Sequence, residues 1–239
     1  MIQIPLQWTA ILFDCETTGL DESDIIETAY FPLEECCLRH GDLNDVARFR
    51  PTKPITLGAM AVHHIIPEDF DALNLPPSSE AKLPPHIKYI VGHNIDFDWK
   101  ALGCPPVRRI CTLALARAIW PNLDSHTNGA LYYYFSTDRR FARVVLRNAH
   151  SALADIGVTH LILEKIVARL KPRSLDHLWE MSEKARIPTI MTFGKHKGKP
   201  VSAVDGGYKG WYSRQEDPDP YLLKAFRGEP GLVVPAEVV

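Results

Sequence analysis

Apolar residues fall into short runs in the first part of the chain and into a helical rhythm further on. Residues 9–14 (TAILFD) form a brief apolar run, partly β-branched, the pattern of a buried strand. IIETAYFPL (25–33) and VARFRP (46–51) predict the next strands. GAMAVHHI (58–65), after Pro54, predicts a helix, and LPPSSEAKLPP (75–85) a proline-rich loop. IKYIVGHN (87–94) predicts a strand that stops at Gly92, and DFDWKAL (96–102) a short helix. RRICTL (108–113) predicts a strand running into a helix over 112–120, and NGALYYYF (128–135) has helix spacing. SALADIGVTHLILEKIVARL (151–170) is the clearest helix, with Ser151 as its expected N-cap.

Strands first, then strands and helices in alternation, then a long helix: this order predicts an α/β domain with a mixed sheet. The composition changes after KPRS (171–174), and the remainder is short and carries many Gly, Pro and aromatic residues. A boundary near residue 172 divides the chain into a domain over 1–171 and a module over 172–239. The chain carries 27 Lys and Arg against 29 Asp and Glu, a net charge of −2. That balance excludes little, because a carboxylate-rich metal site offsets basic patches elsewhere. Five irregularly spaced cysteines without a C-x-x-C pair argue against a zinc knuckle and for reduced thiols in a cytoplasmic protein. Neither a signal peptide nor a membrane-spanning run is visible, so no membrane partner is expected.

Candidate chemistry gathers at three places. In ILFDCETTGL, Asp14 and Glu16 share a strand face while Cys15 turns to the other side. Two neighbouring acids in an apolar setting repel each other unless a cation neutralises them; a solvated strand end is the alternative. In GHNIDFDW (92–99), Asn94 and Asp98 are four apart and meet on one face if a helix starts there. Asp96 and Asp98 also suit a helix start without further function. In NAHSALAD (148–155), His150 precedes the long helix and Asp155 sits among apolar neighbours on it. Together, four carboxylates and a histidine suit a hard, oxygen-preferring cation, Mg²⁺ or Mn²⁺ rather than zinc. Two such ions can activate a water and stabilise the leaving oxygen of a phosphodiester, and an imidazole can take the water's proton.

D-C-E-T-T-G, H-N-x-x-F-D and H-x-x-x-x-D, in this order, resemble the three motifs of the DEDDh 3′→5′ exonucleases, part of the ribonuclease H-like superfamily. The resemblance covers about residues 8–170. It implies a ribonuclease H-like mixed sheet flanked by helices, with Asp14, Glu16, Asp98 and Asp155 as metal ligands and His150 as general base. Asp98 is chosen over Asp96 because Phe97 directly precedes it, as in the family motif. Substrate contacts are implied for Thr17, Thr18, Gly19 and Leu20, and are expected also of His63 and Asn94. AMAVHHI (59–65), ICTLALARAIWP (110–121), TFGKHKGKPVSAV (192–204) and WYSRQEDPDPYLLKAF (211–226) resemble the exodeoxyribonuclease X branch with its small C-terminal module. GGYKGW (206–211) departs from that branch, where an Asp-Pro tends to precede the Tyr; a changed turn without loss of chemistry is expected. The implied activity is release of 5′-mononucleotides from the 3′ end of DNA, with two Mg²⁺ ions that Mn²⁺ can replace. Nucleic acid, DNA in preference to RNA, is the implied partner, and some relatives are homodimers. An exoribonuclease on the same site and an inactive nucleic-acid-binding module stand as alternatives, because the acids see only phosphate.

Other features have two readings each. Cys15, Cys104 and Cys111 are nucleophiles on paper, but a thiolate beside carboxylates is disfavoured. Ser151 adjoins His150, but no G-x-S-x-G elbow is present. Arg139, Arg140, Arg143 and Arg147 form either a solvated surface or a phosphate contact. Tyr132, Tyr133, Tyr134 and Phe135 suit core packing better than base stacking. Lys195, Lys197 and Lys199 share one face if their segment is extended, either as a phosphate-tracking strip or as a protected edge.

Overall fold

The computed structural model describes residues 4–34, 45–71, 74–147 and 152–234. Strands run as β1 (Ala10–Thr17), β2 (Ile25–Pro32), β3 (Asp45–Arg48), β4 (Tyr89–Gly92) and β5 (Arg108–Cys111). The helices are α1 (Leu57–His63), α2 (Asp96–Ala101), α3 (Thr112–Ile119), α4 (Asn128–Phe135), α5 (Arg139–Arg147), α6 (Ala152–Leu170), α7 (Leu175–Ala185), α8 (Gly206–Tyr212) and α9 (Pro220–Phe226). The described strands form one sheet in the order β3-β2-β1-β4-β5. β1 pairs antiparallel with β2 and parallel with β4, so the sheet is mixed, as the element order predicts.

Ala10, Ile11, Leu12 and Phe13 are all buried because both faces of β1 are covered. On one face Leu12, Ala29, Val91 and Ile110 pack with Leu115 of α3, Leu131 of α4 and Ile156, Ile162 and Ile166 of α6. On the other, Ile11, Phe13, Cys15 and Ile90 pack with Phe49 and Ile95. The end of β1 is therefore held in a rigid frame, and a register slip between Glu16 and Thr17 releases the strand there.

The main core runs past residue 172, since Leu175 and Leu178 of α7 join it. Ser174 caps α7, accepting from the His177 amide at 3.2 Å. The Cys111 amide donates to Ser182 Oγ at 2.8 Å, tying α7 to the end of β5. Beyond α7 a second, small core gathers Met191, Val201, Val204, Tyr208 and Leu222.

Residues 194–199 are not an extended strip. Gly194 and Gly198 adopt left-handed backbone, and the Lys197 amide closes a turn onto the Gly194 carbonyl at 3.1 Å. A Cβ at Gly194 would lie 2.6 Å from Tyr208 Oη, so the ring closes over the turn only because the residue is glycine. Lys195 faces Asp205 at 3.6 Å instead of lining up with its neighbours. Asp205 also caps α8 through the Tyr208 amide at 2.8 Å, so the double glycine of GGYKGW follows an ordinary helix cap. Of the aromatic run, Tyr132 and Phe135 pack against the main core and Tyr133 and Tyr134 are exposed. Among the described residues no helix is long and apolar enough to cross a membrane.

Candidate active site

Alternation along β1 places Asp14 and Glu16 together, half-buried, with Cys15 buried on the opposite face. α6 crosses the same sheet and brings Asp155, in its first turn, to the strand end. Carboxylate oxygens of Asp14, Glu16 and Asp155 lie within 4.8 Å of one another. Asp98 of α2 is buried beside them and accepts a hydrogen bond from the Cys15 amide at 3.0 Å. One of its oxygens is thus engaged by the backbone between the other two acids.

These acids disturb one another. Burial, followed by Asp98, Glu16, Asp155 and Glu27, holds the Asp14 carboxyl well above the ordinary carboxylate range. Burial, followed by Asp155, Glu27 and Asp98, pushes Glu16 up to about 8. Burial raises Asp98 to about 7 even though the Cys15 amide favours its charged form. Such a crowded, all-oxygen donor set fits a divalent metal ion, whose charge would let the carboxylates ionise together.

A pH effect on stability follows. An unfolded Glu titrates near ~4.3, whereas folded Glu16 titrates at about 8. Between those values the folded chain binds more protons, so stability falls as pH rises. In chelator the melting temperature should decline from about pH 5 to about pH 8, in the window these shifts define. Millimolar Mg²⁺ or Mn²⁺ should remove the decline. A flat profile in chelator would show that the carboxylates are not crowded in solution.

Glu27 was not singled out by sequence reasoning. It lies opposite Glu16 on β2 and is only 3% exposed. Arg48 Nε donates to its Oε2 at 2.9 Å, and the Ala152 amide donates to its Oε1 at 3.2 Å. The second bond fixes the start of α6, and with it Asp155, against the strand that faces Glu16. The signal was present in IIETAYFPL: an acid inside a fully buried strand needs partners. Glu27→Ala should lower unfolding free energy by roughly 1–3 kcal/mol, the cost of unpairing such groups. Urea denaturation would measure it, and an unchanged midpoint would show that Glu27 does not hold the helix.

The turn after β1 is built from the predicted substrate residues themselves. Thr17 Oγ1 donates to the Gly19 carbonyl at 2.7 Å, and Thr18 Oγ1 accepts from the Asp24 amide at 3.0 Å. The Thr56 amide donates to the Thr18 carbonyl at 2.9 Å, which docks the start of α1 on this turn. Leu20 is 84% exposed. His63 is buried; its Nδ1 accepts from the Ile65 amide at 3.0 Å, so Nε2 carries the proton toward the Thr17 carbonyl at 3.2 Å. Burial lowers its pKa, consistent with a neutral ring that braces the turn.

Asn94 and Asp98 do not share a helix face. Asn94 has left-handed backbone (φ 64°) and is exposed, ahead of Ile95, the N-cap of α2. A left-handed residue cannot be part of the helix, and Asn tolerates that conformation. Asp96 is held away from the acid group by Arg109 at 2.5 Å and Arg186 at 3.3 Å. His93, within the second motif, has Nε2 2.9 Å from the His126 carbonyl, and burial pulls its pKa down to about 4. It therefore acts as a neutral structural ring. Burial and the nearby Asp98 and Asp14 push the Cys15 thiol well above its usual range, which removes it as a nucleophile. His150 and Ser151 lie outside the described residues.

No family model matches the chain. Exodeoxyribonuclease 10 of Escherichia coli strain K12 is 30% identical over 207 residues, covering 84% of this chain and 88% of the relative. The protein of that name from E. coli O6:H1 strain CFT073 matches to the same extent. A solved structure of exonuclease X in complex with 5′-overhanging duplex DNA has a TM-score of 0.56 at 27% identity, covering 72% of this chain and 98% of that one. E. coli exonuclease I in complex with a dT13 oligonucleotide shares the fold, with a TM-score of 0.51 at 16% identity over 68% of this chain and 41% of that one. With a relative this similar across most of both chains, and the same mixed sheet beneath the acids, the chain belongs to the DEDDh exonuclease family.

Proposed function

We propose that this chain is a metal-dependent 3′→5′ exonuclease that releases 5′-mononucleotides from DNA. The observation that carries the reading is the group of Asp14, Glu16 and Asp155 oxygens within 4.8 Å at the end of a buried strand. The names of the relatives, exodeoxyribonuclease 10 and a DNA-bound exonuclease X, support DNA as the substrate. Asp14, Glu16 and Asp155 would hold one ion among them, and Asp98 would contribute the oxygen not engaged by Cys15. Two Mg²⁺ ions, or Mn²⁺ in their place, would supply Lewis acidity for the attacking water and the leaving 3′ oxygen. His150 takes the proton from the water as its oxygen bonds to phosphorus and the P–O3′ bond breaks. The products are a 5′-mononucleotide and a strand one nucleotide shorter with a 3′ hydroxyl. Thr17, Thr18, Gly19 and Leu20 form the wall against the terminal nucleotide, with Leu20 exposed for contact and His63 holding the turn from behind. Asn94 stands just before the N-cap of α2, on the same turn that leads to Asp98. In this reading 1–171 is the nuclease domain and 172–239 its module, with α7 as the joint packed on both α3 and β5.

Digestion of 3′-labelled and 5′-labelled strands, with and without Mg²⁺, tests the proposal. The 3′ label should appear at once as mononucleotide, and the 5′ label should pass through a descending ladder, only with the cation. Immediate loss of the 5′ label would overturn the polarity. Matched RNA strands cut as fast as DNA would turn the assignment toward an exoribonuclease.

A further inference from the structure

Helix α5 exposes Arg139, Arg140, Arg143 and Arg147, with Phe141 61% exposed and Val144 56% exposed among them. At about 100° per residue, Arg140, Arg143, Val144 and Arg147 point outward together, and Phe141 flanks them. The opposite side is already covered: Ala142 is buried and Leu146 packs against the main core. Among the described residues none of the four arginines has a carboxylate within ion-pair distance. The nearest acid in sequence, Asp138, accepts from the amides of Arg140 and Phe141 at 2.8 and 3.1 Å and so caps the helix. Like charges three and four residues apart repel, so this face is suited to an anionic partner.

The position of α5 identifies that partner. Arg147 precedes Ala152 by five residues, a stretch that spans at most ~18 Å even when fully extended. The Ala152 amide is bound to Glu27, opposite Glu16 in the acid group. At a rise of ~3.4 Å per nucleotide in a duplex strand, that distance is about five nucleotides. We propose that α5 is a second contact for the substrate, in which Arg147 grips a backbone phosphate within about five nucleotides of the cleaved bond, Arg143 and Arg140, about one and two helical turns further on, grip phosphates beyond it, and Phe141 covers a base. A membrane surface fits less well, because a helix lying on lipid needs its apolar side free and here that side is packed. The inference rests on the reading of the site as a DNA exonuclease.

The test compares the full chain with the variant R140A/R143A/R147A and with Phe141→Ala, each checked for an unchanged melting temperature. Binding of a labelled single-stranded oligonucleotide long enough to pass α5 is measured in Ca²⁺ at several salt concentrations. Hydrolysis of thymidine 5′-(p-nitrophenyl phosphate), too short to reach α5, is measured in Mg²⁺. The triple variant should bind the oligonucleotide more weakly, with a salt slope flatter by about two, at ~0.7 per single-strand phosphate contact. It should cleave the short ester at the full rate. Phe141→Ala should weaken binding about tenfold, as lost stacking does, with the slope unchanged. Unchanged oligonucleotide affinity and slope in the triple variant would overturn the proposal, as would an equal loss on the short ester. Loss of binding to phosphatidylserine vesicles with oligonucleotide binding intact would instead make α5 a lipid contact. Failure of the site reading shows separately, as the unaltered chain cleaving neither substrate with any divalent cation.

Discussion

Replacing Asp14 or Asp155 with Ala should cut cleavage by on the order of 10³-fold or more while the chain stays folded. Stabilisation of transition-state charge by a bound metal is worth several kcal/mol, and each ~1.4 kcal/mol is tenfold in rate. Both acids belong to the group whose oxygens lie within 4.8 Å, so either change removes a ligand from it. The same change removes a repelling neighbour. Asp155 is one of the groups that raise Asp14 and Glu16, and Asp14 itself is held well above its ordinary range. In chelator, melting temperature should therefore hold steady or rise. Asp98→Ala should behave differently in stability, because it strips the Cys15 amide of its acceptor in a buried place. That loss costs about 1–3 kcal/mol. Single-turnover rates in Mg²⁺ and melts in chelator would separate the two effects. Near-normal turnover in Asp14→Ala or Asp155→Ala would sink the metal assignment.

His150→Ala should lose roughly 10²–10⁴-fold in rate, the usual worth of a positioned general base. His150 stands two residues before Ala152, whose amide is anchored on Glu27 beside the acid group. Metal binding should survive the change, because the imidazole is not among the proposed ligands. In the unaltered chain the acidic limb of the pH–rate profile should follow imidazole titration, and in the variant that limb should disappear. Calorimetric titration with Mn²⁺ reads the first point and kcat against pH the second. A variant with full rate and the same profile would assign the base to another group.

Several elements were legible because they depend only on local periodicity. The short continuous apolar run at 9–14 is β1, buried on both faces, and the helical rhythm of 152–170 is α6, because period 3.6 leaves one solution for burying an apolar face. Period two placed Asp14 and Glu16 on a common side. The second motif was legible only in part: both Asp96 and Asp98 suit a helix start, and only the resemblance, through Phe97, singled out Asp98. Tertiary contacts distinguish the two, since Arg109 and Arg186 take Asp96 while the Cys15 amide takes Asp98.

What lay beyond the sequence has one physical origin, partners brought together from far apart in the chain. Glu27 and Ala152 are 125 residues apart, and no pattern inside IIETAYFPL says which amide the buried acid will meet. The left-handed turn at Asn94 and the turns at Gly194 and Gly198 broke expectations drawn from spacing, because spacing arguments assume regular backbone. α7 looked like the start of a module by composition, but its Leu175 and Leu178 complete the main core beside α3. By itself the sequence determined the order of elements and the acids at the strand end, since local sterics and side-chain alternation suffice for both. Only the tertiary structure decided which carboxylates converge and what supports them, because burial and electrostatic repulsion act through space and are indifferent to separation along the chain.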